Sequence, residues 1–346
     1  MASEFELIAK HFTRPSRPLH HTELGVGDDG ALIRPAANCE LVISTDLLVE
    51  GTHFFSVTEP ESLGWKTLAV NLSDMAAMGA VPRWVTLGCV LCNEFNSVPS
   101  SGHFRPVGLP VSTAPTDKFT HSTDGGWLAA FARGFFACAD RYGVDLIGGD
   151  TTRGPAGATT FSVTIFGEAP RGKALLRSGA QIGDHIWVSG YPGRAALGLA
   201  HLQGRTTLQG CHLDECLAAL HRPIPRLELG LALRGIASSA IDVSDGLLAD
   251  LGHILDAANV SAHLRIPDLP EAGLARDAYL AGGDDYELLF TAAPTRADEI
   301  LACAERLSLP LRDIGTVLAA TGDKVKVFDR QGFDITPARC GFDHFE

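Results

Sequence analysis

No G-x-x-x-x-G-K-[ST] segment occurs anywhere in the 346 residues, so a Walker-type phosphate loop is excluded. The H-R-D and D-F-G elements of protein kinases are missing as well, and with them that scaffold for nucleotide chemistry. Positive charge is scarce: 28 Lys and Arg stand against 41 Asp and Glu. A broad nucleic-acid surface needs a basic stripe, so no such partner is expected. An anionic substrate would need bound cations or a few well-placed basic residues. Long apolar runs are also absent. The most apolar stretch, VTLGCVLC (85–92), is far too short to span a bilayer. The opening residues, MASEFELIAKHF, have no basic region followed by an apolar core and do not read as a secretory signal. Eight cysteines are too sparse for a disulfide scaffold; reduced thiols in a cytoplasmic protein are expected.

What recurs instead is aspartate beside glycine, serine or threonine. The segments are GVGDDG (25–30), STD (44–46), NLSD (71–74), GGDT (148–151), IDVSDG (241–246) and GGDDYE (282–287). Glycine lets the backbone approach a ligand, and aspartate supplies hard oxygen ligands on a short side chain. One such turn is ordinary. Six, most of them after apolar segments, point to one site assembled from distant parts of the chain.

The length suggests two domains, and 45% hydrophobic with 20% charged residues is a globular composition. LVIST (41–45) reads as a strand ending at Asp46, and 61–78 as a helix with Leu68, Leu72, Met75 and Met78 at helical spacing. Asn71 and Asp74 share a face of that helix. WVTLGCVL (84–91) is a strand. Residues 97–126, with Pro99, Pro106, Pro110 and Pro115 among small polar residues, read as a long loop or an insertion. A helix over 126–143 precedes a short strand, VDLIGG (144–149), that delivers Asp150; FSVTIFGEA (161–169) is another strand. The polar, glycine-containing stretch 170–183 marks the boundary between domains 1–170 and 171–346. Beyond it come a strand HIWVSG (185–190), helices over 193–202 and about 225–237, and an amphipathic helix over 244–259. Ser244 and Asp245 open that last helix, where free N–H groups attract anions. ELLFT (287–291) and KVKVF (324–328) are late strands. The alternation of strands and helices argues for an α/β or α+β class.

GVGDDG matches the dinucleotide pattern G-x-G-x-x-G but lacks its context: no clear strand precedes it and Pro35 interrupts any following helix. Asp28 and Asp29 would also face the pyrophosphate, so they suit metal-bridged phosphate instead. Asp74 lies in the otherwise apolar AVNLSDMAAMGA; a buried aspartate needs a partner or a proton. Cys89 and Cys92 are three apart in a strand and point to opposite faces, so the pair is not a metal couplet. Cys211, His212 and Cys216 sit in a loop or helix start without convincing ligand spacing. His53 stands out after a strand end. Arg177, in ALLRSG, is a candidate phosphate-binding arginine.

GVGDDGALI, STDLLVEGTHF, AVNLSDMAAMGA, LIGGDTTRGP, ALLRSGA, IDVSDGLLADLGHI, GGDDYELLF and the terminal GFDHF together resemble the thiamine-monophosphate kinase family. It belongs to the superfamily that includes aminoimidazole ribonucleotide synthetase. The resemblance runs from about residue 5 to 345. It implies a two-domain α+β fold: an N-terminal mixed sheet with helices that pairs in a homodimer, and a C-terminal α/β domain. It implies ATP-dependent phosphorylation of thiamine monophosphate to thiamine diphosphate, with Mg²⁺ ions and no phosphoenzyme. By that resemblance Asp29, Ser44, Thr45, Asp46, Asp74, Asp150, Asp242 and Asp245 match metal ligands, with Asp46, Asp74 and Asp150 central to catalysis. Gly149, Asp150, Arg177 and Ser244 match nucleotide contacts. His53, Asp284 and Phe342 match the thiamine-phosphate side, with Phe342 stacking on the ring. The family more often has GGEDYE where this chain has GGDDYE, so Asp284 reaches one methylene less far. It often has Tyr or Trp where Phe342 stands, and it lacks the 97–126 insertion. A selenophosphate synthetase would want a catalytic Cys or selenocysteine on a glycine-rich N-terminal segment, and the hydrogenase-maturation relative ends in cysteine. Another enzyme of the superfamily, close to aminoimidazole ribonucleotide synthetase, or a non-catalytic nucleotide- or metal-binding module are the alternatives.

Overall fold

The computed structural model describes residues 4–14, 22–92, 126–155 and 159–342. The expected loop or insertion at 97–126 lies outside the described residues except for Gly126. The chain forms two compact units. One comprises Met1–Ala37, Ile43–Asn71 and Pro82–Gly167; the other comprises Asn38–Val42, Leu72–Val81 and Glu168–Glu346. Both combine helices with sheets, the α+β class.

The first stretch of chain carries α1 (Glu4–Leu7), β1 (Thr22–Leu24), β2 (Leu32–Ile33), β3 (Cys39–Val49) and α2 (Pro60–Ala77). There follow β4 (Val81–Leu91), α3 (Gly126–Tyr142), β5 (Asp145–Arg153) and β6 (Thr160–Pro170). The sheet order is β3-β6-β4-β5. β4 and β5 run parallel, with Leu87 opposite Gly149 and Gly88 opposite Asp150. α2 and α3 meet backbone to backbone: a Cβ on Gly134 would lie 1.7 Å from the Glu61 carbonyl oxygen. Beneath them Phe131 stacks on Phe161 at 4.3 Å, and Trp84, Phe131, Phe135 and Phe161 are fully buried.

The second stretch carries β7 (His185–Ser189), α4 (Arg194–Leu202), α5 (Gly210–His221), α6 (Leu227–Leu233), β8 (Ser239–Asp242) and α7 (Leu247–Ala258). It continues with β9 (Val260–Leu264), α8 (Leu274–Ala281), β10 (Leu288–Ala292), α9 (Ala297–Leu307), β11 (Leu311–Ala319) and β12 (Val325–Val327). The sheet order is β12-β9-β11-β7-β10-β8. Its pairs are antiparallel except β12 with β9. The stripe Leu247, Leu248, Leu251, Ile254 and Leu255 of α7 packs in one core with Ile186, Val188, Ile241 and Leu289 of the sheet, as its helical period requires.

Several boundaries differ from the sequence expectation. β3 does not stop at Asp46. Val42 and Leu48 are buried while Leu41, Ile43 and Leu47 face outward. Ser44 and Asp46 keep the two-residue alternation of that inner face, so the polar triplet interrupts nothing. β5 likewise continues through Asp150. A short strand, β1, does precede GVGDDG, and β2 rather than a helix follows it, which keeps the dinucleotide reading excluded. Cys211, His212 and Cys216 lie in a full helix, α5. α7 begins three residues later than expected, for a reason given below. Among the described residues, no helix is long and apolar enough to cross a membrane.

Candidate active site

In the second unit the acidic motifs converge on the loop between β8 and α7. Asp242 ends β8 and is buried. Burial pushes its carboxyl well above the usual carboxylate range, and the neighbouring Asp74 carboxylate pushes it further. The Arg177 guanidinium pulls the other way. The Ser73 hydroxyl does so too, though it lacks the geometry of a full hydrogen bond. Asp74 itself is half-buried on α2 rather than fully enclosed, and Arg177 opens the exposed turn Arg177–Gly179. Two carboxylates against one guanidinium leave excess negative charge beside buried Asp242, which a cation would neutralise.

Asp250 organises the loop. From the first turn of α7 its Oδ2 accepts the N–H groups of Ser244 (3.0 Å), Asp245 (3.1 Å) and Gly246 (3.1 Å). Burial lifts this carboxyl to about 7, with Asp242 as the second cause. The sequence reading started a helix at 244 and offered these N–H groups to an anion. That is corrected: α7 starts at Leu247, and an aspartate of the same chain already holds them. The signal was an aspartate in the first turn, the position where a carboxylate meets orphan N–H groups.

GGDDYE closes on the same loop. The Asp284 N–H donates to the Ser244 carbonyl (2.7 Å) and the Tyr286 N–H to the Val243 carbonyl (2.9 Å). Asp285, unassigned from sequence, is buried and accepts the Gly193 (2.6 Å) and Ala195 (3.2 Å) N–H groups at the start of α4. Burial holds its carboxyl well above the ordinary range despite those bonds. Glu287, also unassigned and placed inside the ELLFT strand, lies just before β10. It takes Arg226 on both oxygens (2.6 and 2.5 Å) and the Ser189 hydroxyl (2.6 Å). The Phe342 N–H donates to the Asp245 carbonyl (2.9 Å), and the residue is 50% exposed. The second unit thus gathers Asp74, Asp242, Ser244, Asp245, Asp284 and Phe342 around one loop, with Arg177 acting through its charge.

In the first unit Ser44, Thr45 and Asp46 lie within β3. The Thr45 hydroxyl shares a hydrogen bond with Thr164 of β6 (2.9 Å), on the face opposite Ser44 and Asp46. Gly149 and Asp150 are exposed on β5. Gly149 has φ 155°, and a Cβ there would stand 1.9 Å from the Leu87 carbonyl oxygen, so no other residue fits. β6 and β4 lie between β3 and β5; these two motifs are not strand neighbours. Asp29 is exposed in a turn, its N–H bonded to Asp28 Oδ1 (2.9 Å). His53 sits in the turn after β3, where Nδ1 accepts the Val49 N–H (3.0 Å).

Among the described residues no three His, Cys, Asp or Glu side chains are arranged to hold a metal by themselves. Mg²⁺ ordinarily takes one or two carboxylates and completes its shell with substrate phosphates and water. The charge-crowded Asp74 and Asp242 fit that donor set. The cysteines do not: all eight are free, and Cys89 is buried with its thiol pushed up to about 12.

Comparison with known proteins identifies the family. The AIR synthase related protein N-terminal domain matches residues 27–169, and the C-terminal domain matches residues 181–328. Thiamine-monophosphate kinase of Salmonella typhimurium is 40% identical, covering 99% of this chain and 98% of its own. The crystal structure of thiamine-monophosphate kinase from Stenotrophomonas maltophilia K279a is 42% identical with a TM-score of 0.72, over 93% of this chain and 94% of that one. AaThiL complexed with AMPPCP and TMP is 26% identical with a TM-score of 0.68, over 92% of each chain. Identity of this order, carried through both domains, places the sequence: the chain belongs to the thiamine-monophosphate kinase family of AIR synthase related proteins.

Proposed function

We propose that this chain transfers the γ-phosphoryl group of ATP to thiamine monophosphate, forming thiamine diphosphate and ADP. The observation that carries this reading is the full-length likeness to thiamine-monophosphate kinases, one relative of which is complexed with AMPPCP and TMP. The acceptor is itself a phosphate oxygen, ionised near neutral pH, so no strong general base is needed. Phosphoryl transfer then asks mainly for positioning and charge neutralisation. A loop crowded with carboxylates and lacking a nucleophile–base pair suits that demand. Mg²⁺, if held by these carboxylates, would supply positive charge that offsets the anionic phosphates.

Asp46, Asp74 and Asp150 are the carboxylates on which turnover depends. With Asp29, Ser44, Thr45, Asp242 and Asp245 they form the metal-binding set. Gly149, Asp150, Arg177 and Ser244 contact the nucleotide, while His53, Asp284 and Phe342 take the thiamine side. Residues 1–170 form the N-terminal metal- and nucleotide-binding and dimerisation domain, and 171–346 the C-terminal α/β domain, which adds Arg177, Asp242, Ser244 and Asp245. The enzyme works as a homodimer: among the described residues β3 is an edge strand of its sheet and exposes Leu41, Ile43 and Leu47 on one face, so an open backbone edge beside apolar side chains suits a second copy. Its free thiols suit the cytoplasm.

The test is product analysis with thiamine monophosphate, ATP and Mg²⁺. Thiamine diphosphate and ADP are expected in equal amounts; ATP loss without thiamine diphosphate, or preference for an aminoimidazole precursor, would reject the reading. Arg177→Ala is expected to raise KM for ATP about tenfold, the worth of one charged hydrogen bond, with a smaller change for thiamine monophosphate. The opposite ranking removes Arg177 from the nucleotide side.

A further inference from the structure

We propose that Tyr286 is a positioning residue for the acceptor substrate, its hydroxyl fixing the Asp284 carboxylate that faces the thiamine rings. This rests on the acceptor-side reading of Asp284. The Tyr286 hydroxyl donates to Asp284 Oδ1 at 2.9 Å. Along this segment exposure alternates: Asp284 and Tyr286 are half-buried, whereas Asp285 and Glu287 are buried. The inner pair anchors, Asp285 on the start of α4 and Glu287 on Arg226. The outer pair is a carboxylate and a phenol joined to each other.

The backbone says the same. Asp284 has φ 72° and Tyr286 φ 54°. Aspartate tolerates the left-handed region, but a bulky aromatic seldom enters it. Such a conformation persists where its surroundings impose it, and it marks functional segments more often than others. Here the imposing contacts are the Asp284 and Tyr286 N–H bonds to the Ser244 and Val243 carbonyls, together with the two inner anchors. The chain therefore holds an unfavourable tyrosine backbone where its hydroxyl meets Asp284.

The phenol occupies part of the acceptor capacity of one Asp284 oxygen. A carboxylate fixed in this way suits a cationic or N–H-bearing ligand, and thiamine offers both, a thiazolium and an aminopyrimidine. A glutamate here would carry its carboxylate one methylene further from the backbone.

Tyr286→Phe removes only the hydroxyl, and Asp284→Gly removes the carboxylate while tolerating the left-handed backbone. Steady-state kinetics and calorimetric binding of thiamine monophosphate to the full-length protein read the outcome, with thermal unfolding measured alongside. Tyr286→Phe is expected to raise KM and Kd for thiamine monophosphate about tenfold, leaving KM for ATP unchanged. Asp284→Gly should do the same or more, and the double variant should be no worse than Asp284→Gly, because nothing remains to be positioned. An unchanged KM in Tyr286→Phe, equal rises for both substrates, or effects that multiply in the double variant overturn the proposal. Unchanged binding in Asp284→Gly takes Asp284 off the acceptor side and the proposal with it, while wild-type product formation still decides the activity separately.

Discussion

Asp74→Asn is expected to abolish nearly all turnover, roughly a thousandfold or more, while the protein stays folded and becomes more resistant to heat without divalent cation. The two effects have one cause. The Asp74 charge stands beside buried Asp242 and helps to push that carboxyl up. Removing it relieves repulsion between like charges, which stabilises, and deletes the carboxylate proposed to hold metal, which disables. Mg²⁺ with ATP should raise the unfolding temperature of the wild type, since a ligand at a hundred times its Kd stabilises by about 2.7 kcal/mol. That rise should shrink in the variant. Asp46→Asn should lose turnover to a similar degree. Full activity in both variants would sink the assignment of these carboxylates, and a lower unfolding temperature for Asp74→Asn would contradict the repulsion.

Asp250→Ala should cost about 3 kcal/mol of stability and most of the turnover. Three N–H groups would lose one acceptor. An orphaned buried donor costs about 1–3 kcal/mol; Gly246 is buried, but Ser244 and Asp245 are half-exposed, so water recovers part of the loss. Asp250→Asn should be mild, within about 1 kcal/mol, because an amide oxygen can take the same donors. The carboxyl is raised to about 7, so near neutral pH it is often protonated already, and its oxygen matters more than its charge. Urea denaturation of both variants separates the cases. A severe Asn variant would mean that the charge is the essential feature; a harmless Ala variant would mean that water serves the loop as well as Asp250 does.

Much of this was legible in the sequence because it is local. Apolar spacing located α2, α3 and α7 to within a few residues, and the short runs WVTLGCVL and FSVTIFGEA located β4 and β6. The aspartate motifs marked the loop after β8 and the GGDDYE turn. The errors share one origin. β3 and β5 run on through Asp46 and Asp150 because sheet partners satisfy their backbone there, which no local pattern records. α5 reads in the sequence only as a loop or a helix start because its polar, cysteine-containing beginning resembles a loop, although Cys216 and Leu220 bury one side. Asp250 and Glu287 read as ordinary helix and strand residues, and Asp285 as a member of GGDDYE without a role, until their partners were visible.

The sequence by itself determined the chemistry on offer: hard oxygen ligands on glycine-flanked turns, few cations, no nucleotide-binding loop of the common kinds, and periods that set the helices and strands. Tertiary structure alone decided what each carboxylate does. Asp250 and Asp285 grip backbone N–H groups, Glu287 grips an arginine, Asp242 is crowded by Asp74, and Asp284 is held by a tyrosine. The physical reason is that the state of an acid depends on its desolvation and its nearest charges and donors. Here most of those neighbours arrive from distant parts of the chain.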